Sequence, residues 1–269
     1  MSVESVHGYR EEHMKAKAAL WVLLAVCASA GAVLAHPSLG GPTGLVALPT
    51  AEALSLGQVE GALDAASGDD ANIFPARVTA GLGGGSEVWG LWANVSDGAE
   101  KITGYGGKIP ITRLPLVGLS IAGGIGFYRE SNGGVDVRNL YLVATQDLPK
   151  AKAHLGLMAI RVEQAGGSSD AIRPFAGFNM SVGKRMTLAV EARRRWDAFD
   201  KKNLLSAVVR WPFMKLLTAE VGVTNGGYLG MAGDETHVFA GVKYRLGKLP
   251  SLTSLSDAAR RPLITGNHD

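Results

Sequence analysis

Cysteine, charge and aromatic side chains are all scarce in this chain of 269 residues. Cys27 is the only cysteine, and it lies in a segment that we expect to be removed on export, so the mature protein would have no disulfide and no thiol chemistry. Charged residues make up 19%, below the usual share of about 25%, which argues against a disordered chain or a coiled coil. The net charge of +3 and the 7% of aromatic residues indicate no nucleic-acid-binding surface.

A hydrophobic run long enough for a membrane helix is missing as well. The strongest run, Ala18–Val26, has an apolar core of about ten residues, whereas a spanning helix needs about twenty. Lysines precede this run and small residues follow it up to Ala35, which is the pattern of a secretory signal peptide. We therefore predict that residues 1–35 are a cleavable signal peptide. The translation start, Met1 or Met14, stays open from the sequence.

Catalytic motifs are also lacking. The histidines after residue 35 are His36, His154, His237 and His268, and none of them forms a pair with metal-binding spacing. No serine stands in a nucleophile elbow, and the glycine-rich stretches lack the spacing and the following helix of a phosphate-binding loop. We therefore predict no enzymatic activity, no cofactor and no metal.

Glycine, in contrast, is abundant. The chain has 36 glycines, nearly twice the usual share of about 7%. Packed helices do not tolerate this content, because each interior glycine costs about 1 kcal/mol relative to alanine. The chain instead alternates: in Met186–Trp196, the apolar Leu188 and Val190 alternate with Thr187 and Glu191. This period of two predicts β-strands with two different faces.

The alternating segments divide the body of the chain into a series of strands separated by turn residues. We predict twelve of them, at 57–66, 74–82, 87–95, 102–111, 117–128, 137–146, 153–163, 172–182, 186–196, 204–211, 216–224 and 237–246.

The connections between these strands differ in length and charge. Those after odd-numbered strands are longer and acidic, as at Asp69, whereas those after even-numbered strands are short and basic, as at Lys184 and Arg185. Outer-membrane barrels have short periplasmic turns and longer external loops, and their closure satisfies every backbone polar group. We therefore predict a closed antiparallel transmembrane β-barrel of about twelve strands over residues 57–246, all-β in class, with a polar periplasmic tail over 247–269.

Aromatic residues gather near the predicted strand ends, which is typical of the interfacial girdles of such barrels. Core packing remains the alternative for each residue taken singly. The set consists of Phe74, Trp89, Phe127, Tyr128, Trp196, Phe199, Trp211, Phe213 and Tyr244.

Charged residues concentrate on one face of the last four predicted strands. Because charge is costly in lipid, we expect these side chains to line the lumen. A basic, anion-preferring passage or a polysaccharide-binding wall is one interpretation, and a salt-bridged filling of the barrel is the other. The predicted lumen charges are Glu191, Arg193, Arg195, Arg210, Glu220, Lys243 and Arg245.

The segment 36–56 precedes the first predicted strand, and we expect it to be a periplasmic lead-in or a plug, with the lead-in preferred. Its motif consists of Gly44-Leu45, Pro49-Thr50-Ala51 and then Gly57. The segment resembles the opening of the YjbH-like family of outer-membrane barrels, which are associated with exopolysaccharide production. The resemblance implies an outer-membrane location and a link to surface polysaccharide, and it supplies no catalytic residue.

Three functions are compatible with these patterns. The first is a non-enzymatic outer-membrane barrel that is an accessory to exopolysaccharide production or export. The second is a small-solute, anion-preferring channel, and the third is a soluble periplasmic β-protein. For the first two we expect an exported protein in the outer membrane of a Gram-negative-type bacterium. Its partners would be outer-membrane lipid, the barrel-assembly machinery and surface polysaccharide or its export components, with no nucleic acid.

The predicted register makes a direct test possible. Leu188→Arg places a charge on the lipid-facing side of its strand and should block assembly far more than Thr187→Arg, which places the same charge in the lumen. The measurement is heat-modifiable gel mobility of each variant after refolding or from purified outer membranes. Equal loss of the folded band in both variants would mean that the predicted register is wrong.

Overall fold

The computed structural model describes residues 36, 38–68, 72–96, 101–131, 134–183, 185–195, 202–226 and 232–248. The predicted signal peptide and most of the predicted tail lie outside these residues. No helix in the described part of the chain is long and apolar enough to cross a membrane.

The described residues form twelve strands joined by short connections, with one 3-10 turn at Pro115–Val117. The strands are β1 Gln58–Ser67, β2 Asn72–Gly83, β3 Ser86–Val95, β4 Lys101–Leu114, β5 Leu119–Glu130, β6 Asp136–Leu148, β7 Ala151–Gln164, β8 Gly167–Val182, β9 Met186–Arg193, β10 Leu204–Pro212, β11 Leu217–Gly226 and β12 Ala232–Lys248. Each strand overlaps one of the twelve segments predicted from the alternation.

The sheet is a closed barrel in which every strand pairs antiparallel with its neighbours in the sequence. Closure occurs between β1 and β12, where Leu63 lies opposite Val242 and Asp64 opposite Gly241. The described strands therefore include no unpaired edge, and the prediction of a closed twelve-stranded antiparallel barrel is confirmed. We call the end at which β1 begins and β12 ends the terminal end, and the opposite end the loop end.

Several strand boundaries differ from the prediction. β8 begins at Gly167 rather than at 172, so the predicted loop 164–171 is a tight hairpin between β7 and β8. The residues at this end of β8 are polar and exposed, and they continue the ladder beyond the apolar part of the wall, which is why the pattern suggested a loop. β9 ends at Arg193 rather than at 196.

The two faces of the wall follow the predicted alternation. On β9, Leu188 shares the outer face with its partner Val209, which is exposed, whereas Thr187 lies opposite the buried Arg210 on the inner face. The outer wall is a band of exposed aliphatic side chains, exemplified by Leu140 at 61% exposure. Such a band is stable when lipid covers it.

The aromatic residues divide between the two faces. Phe74, Trp211 and Tyr244 point outward and are exposed, as expected for a girdle. Trp89 and Tyr128 instead point inward, are buried, and pack against each other with tilted rings at a centroid distance of 5.4 Å. The girdle prediction is therefore wrong for these two residues. Trp196 and Phe199 lie outside the described residues.

Many of the glycines are explained by inward-facing aromatic rings. In five places a glycine lies directly opposite an aromatic residue on the next strand, and the ring occupies the space in which a Cβ atom would stand. The nearest ring atom would lie between 2.2 and 2.7 Å from that Cβ. The pairs are Gly104–Tyr128, Gly106–Trp89, Gly124–Tyr141, Gly156–Phe175 and Gly222–Phe239. Glycine thus makes room for bulky side chains inside a narrow barrel.

These pairs predict which glycines tolerate a side chain. Gly156→Val should lower the free energy of unfolding by about 1–3 kcal/mol, because its Cβ would clash with Phe175 and the core would be overpacked. Gly90→Val is the matched control, since a Cβ there meets only ordinary contacts, the nearest at 3.7 Å. Urea unfolding of the refolded barrel in detergent measures both, and a Gly156→Val variant as stable as Gly90→Val would contradict the steric explanation.

Candidate functional site

The lumen is filled by the segment that precedes β1. Residues 38–50 are buried, including Leu39, Leu45, Val46 and Leu48. Their apolar side chains and the inward-facing aromatic rings of the wall form one hydrophobic cluster. Of the two alternatives for residues 36–56, the structure therefore has the plug and not the periplasmic lead-in that we preferred.

The plug contains a tight hairpin. Gly44 and Pro49 form an isolated β-bridge, and the Leu45 N–H donates to the Leu48 carbonyl at 2.9 Å. Leu45 packs against Gly177 of β8, where a Cβ atom would overlap the leucine side chain. At the end of the segment, Gly57 has a left-handed φ of 71° and donates its N–H to the Gly81 carbonyl, which turns the chain into β1. The glycines at 44 and 57 in the motif thus have structural roles.

Glu191 of β9 holds the tip of this hairpin. Its carboxylate accepts hydrogen bonds from three consecutive backbone N–H groups, those of Val46 at 2.9 Å, Ala47 at 2.7 Å and Leu48 at 3.0 Å. Consecutive N–H groups that converge on one anion form a nest, and hydrogen bonds to a charged acceptor are the strong ones. A buried carboxylate and three buried amides therefore satisfy one another.

An ion pair holds the plug from the other side of the barrel. Lys108 of β4 and Glu87 of β3 are both buried and lie 3.0 Å apart. Glu87 accepts from the Thr43 N–H at 2.7 Å, and the Lys108 ammonium donates to the carbonyls of Thr43 at 3.2 Å and Thr50 at 3.1 Å. Nearby, the Ala51 N–H donates to the Thr145 hydroxyl at 2.9 Å. The Thr43 and Thr50 parts of the plug thus bind the wall through their backbone.

A third group of charges surrounds Glu220 of β11. The Glu220 carboxylate lies 2.8 Å from Lys243, 3.1 Å from Arg210 and 3.4 Å from Arg77. Arg77 also pairs with Asp64. Both arginines also contact the plug, since Arg77 donates to the Ser38 carbonyl and Arg210 to the Leu45 carbonyl.

The plug is also tied at its start. His36 Nδ1 lies 3.0 Å from the buried Glu60 carboxylate, which in turn lies 3.3 Å from Arg245. Arg245 is only partly buried and sits at the terminal end of β12. Glu60 therefore links the start of the plug to the seam at which the first and last strands pair.

The structure brings together most of the predicted lumen charges. Glu191, Arg193, Arg210, Glu220 and Lys243 are buried inside the barrel, and Arg245 lies at its rim. Arg195 differs from the prediction: it lies beyond the end of β9 and is exposed, because the strand stops three residues earlier than expected.

Sequence reasoning missed the charges on the first four strands. These residues also face the lumen, so the charge is not confined to the last strands of the wall as the pattern suggested. They are Glu60, Asp64, Arg77, Glu87 and Lys108. The signal was present, because Glu60, Ala62 and Asp64 share one face of β1. The apolar Leu63 lies on the opposite, exposed face, which leaves the inward face to the two carboxylates. The small neighbours of these charges, not the charges themselves, dominated the pattern.

The comparisons with known proteins concern the fold. No family model and no curated protein matches the chain. Among solved structures, the KdgM porin in complex with disordered oligogalacturonate is similar, with a TM-score of 0.55, 12% identity, and coverage of 69% of this chain and 98% of that one. The NanC porin has a TM-score of 0.53 and 13% identity, with coverage of 70% and 100%. The fold is that of an outer-membrane porin barrel.

The Glu191 contacts predict how firmly the plug is held. Glu191→Gln should raise the opening rate of the plug by at least about tenfold, because the amide is a weaker acceptor and its NH₂ group opposes backbone N–H donors. The measurement is maleimide modification of Ala47→Cys in a Cys27→Ser background. Glu163→Gln, a change of an exposed carboxylate on the outer wall, is the control. Equal labelling rates in the two variants would show that Glu191 does not hold the plug.

Proposed function

We propose that the protein is a non-enzymatic outer-membrane barrel, closed by its own amino-terminal segment, that serves as an accessory to exopolysaccharide production or export. The observation that carries the closed state is the plug: residues 38–50 fill the lumen and are bound by charged side chains of β2, β3, β4, β9 and β10. The link to polysaccharide rests on the resemblance of the Gly44 to Gly57 motif to the YjbH-like family.

The charge balance supports a closed barrel over an anion-preferring passage. Among the described residues, five buried wall cations face five buried wall carboxylates. The cations are Arg77, Lys108, Arg193, Arg210 and Lys243, and the carboxylates are Glu60, Asp64, Glu87, Glu191 and Glu220. Charges that pair with one another and with the plug give no net attraction for a passing anion.

The fold is compatible with a saccharide-related role. A porin of similar fold is recorded in complex with oligogalacturonate, an acidic saccharide. In this chain the hydroxyl-bonding groups that would meet a saccharide are the same arginines, lysine and carboxylates that bind the plug backbone. A small-solute channel is the second function, and it requires the plug to leave the lumen.

Planar-bilayer recording separates these two functions. The wild-type protein should give no resolved open steps, whereas a variant lacking residues 38–54 should conduct, because the lumen of a twelve-stranded barrel is no longer filled. Heat-modifiable mobility confirms that the deletion variant is folded. Clear open steps with anion preference in the wild-type protein would instead support the channel.

The accessory role is tested in the native host. Deletion of the gene should lower the extracellular polysaccharide, measured as total hexose in the cell-free fraction, and the wild-type gene should restore it. Glu191→Gln in the restoring gene tests whether a firmly held plug matters for this role. Unchanged polysaccharide in a strain shown to lack the protein would contradict the proposal.

A further inference from the structure

The outer wall of the barrel contains a long apolar groove on β3 to β8. Its main part is a concave region of about 770 Å³. The floor and walls follow one cross-strand row of outward-facing residues, in which each member is the direct partner of the next: Val88, Gly107, Ile125, Leu140, Ala159 and Ile172. Gly107 and Ala159 are small, so the surface is recessed between the larger aliphatic side chains.

The groove continues toward the loop end into a second concave region of about 500 Å³. The two regions share Ile125, Leu140, Ala159 and Ile172. The next outward-facing row lies about 7 Å further along the strands. It places the aromatic Phe127 beside three charged residues, Arg138, Arg161 and Asp170. A single depression therefore has an aliphatic part and a head with two guanidinium groups.

The two arginines are placed directly opposite each other on adjacent strands, a position that like charges usually avoid. Arg138 and Arg161 are direct cross-strand partners on the same face, and like charges in this position repel. Glu163 bridges them, since it lies 3.2 Å from Arg138 Nη2 and 2.9 Å from Arg161 Nε, and Asp170 lies 3.9 Å from Arg161. Each guanidinium carries five N–H donors, so the contacts to Glu163 and Asp170 leave further donors on both groups. Both arginine side chains line the second concave region.

Both arginines lie where the apolar wall ends at the loop end. Their side chains are about half exposed, at 54% and 50%. A guanidinium at the boundary of the hydrocarbon region is stable when it reaches a phosphate-bearing headgroup, for which its planar donors are suited. Because short turns mark the periplasmic side of such barrels, the loop end faces the external leaflet.

We propose that this groove is a binding site for one phosphorylated glycolipid of the external leaflet. An acyl chain lies in the aliphatic row over Gly107, and a phosphate lies against Arg138 and Arg161. Three features together fit a lipid with a phosphorylated head. They are the shape of the depression, its change along the strands from aliphatic side chains to two half-exposed guanidinium groups, and its position at the loop end. The site lies on the outer wall and stands whether or not the barrel serves polysaccharide export.

The test measures binding of diphosphoryl lipid A to the purified full barrel in neutral-lipid nanodiscs, by native mass spectrometry of the one-to-one adduct. Arg138→Gln with Arg161→Gln should weaken binding about tenfold or more, because charge-assisted hydrogen bonds are lost. Gly107→Val should also weaken it severalfold, because a side chain there fits the wall and fills the groove. Dephosphorylated lipid A should bind weakly and be indifferent to the arginine change.

Matched controls keep the result specific. Gly90→Val adds the same side chain on the outer wall outside the groove, and Arg113→Gln removes an exposed arginine near the terminal end of β4. Both should bind as the wild type does. If the double arginine variant fails to fold, Gly107→Val and the dephosphorylated probe decide the question. Three results would overturn the proposal. Diphosphoryl and dephosphorylated lipid A could bind equally well to the wild type, Gly107→Val and Gly90→Val could bind diphosphoryl lipid A equally well, or the wild type could prefer phosphatidylglycerol.

Discussion

The interaction on which this structure depends is the one between buried charges of the wall and the bare backbone of the plug. A hairpin inside a barrel has N–H and C=O groups that no neighbouring strand can satisfy, and each unpaired group costs about 1–3 kcal/mol. A charged side chain inside the same lumen has the corresponding need for a partner. Glu191, Lys108 and Arg210 satisfy both requirements at once, because each charged group forms hydrogen bonds with backbone groups of the plug.

This arrangement explains why the lumen combines so many charges with so many glycines. The charges hold the plug, and the glycines opposite aromatic rings give the remaining inner side chains room to pack around it. The outer face differs, because aliphatic side chains cover it for contact with lipid. Two adjacent residues of one strand, such as Leu188 and Thr187, therefore lie in entirely different surroundings.

Alternation made most of the fold predictable. A period of two is a local property, and the number of strands, their order and the inward side of β9 to β12 follow from it. The end of β9 and the start of β8 were not predictable, because polar residues such as Ser168 continue a ladder as readily as they form a loop. The plug was also not predictable from the local sequence pattern, because its partners Glu87 and Glu191 come from strands about 40 and 145 residues further along the chain. Such contacts depend on how the whole ring closes.

The position of the plug ahead of β1 has a consequence for how the ring is held together. β1 pairs with β12, so the ring is completed only when the two ends of a chain of nearly two hundred residues meet, and this closure carries a large entropic cost. The plug contacts β3 and β4 on one side and β9 and β10 on the other. It therefore joins strands that are far apart in the sequence. In the finished barrel the segment is a cross-brace, which adds contacts across the lumen to those that the hydrogen-bonded ladder makes around the wall.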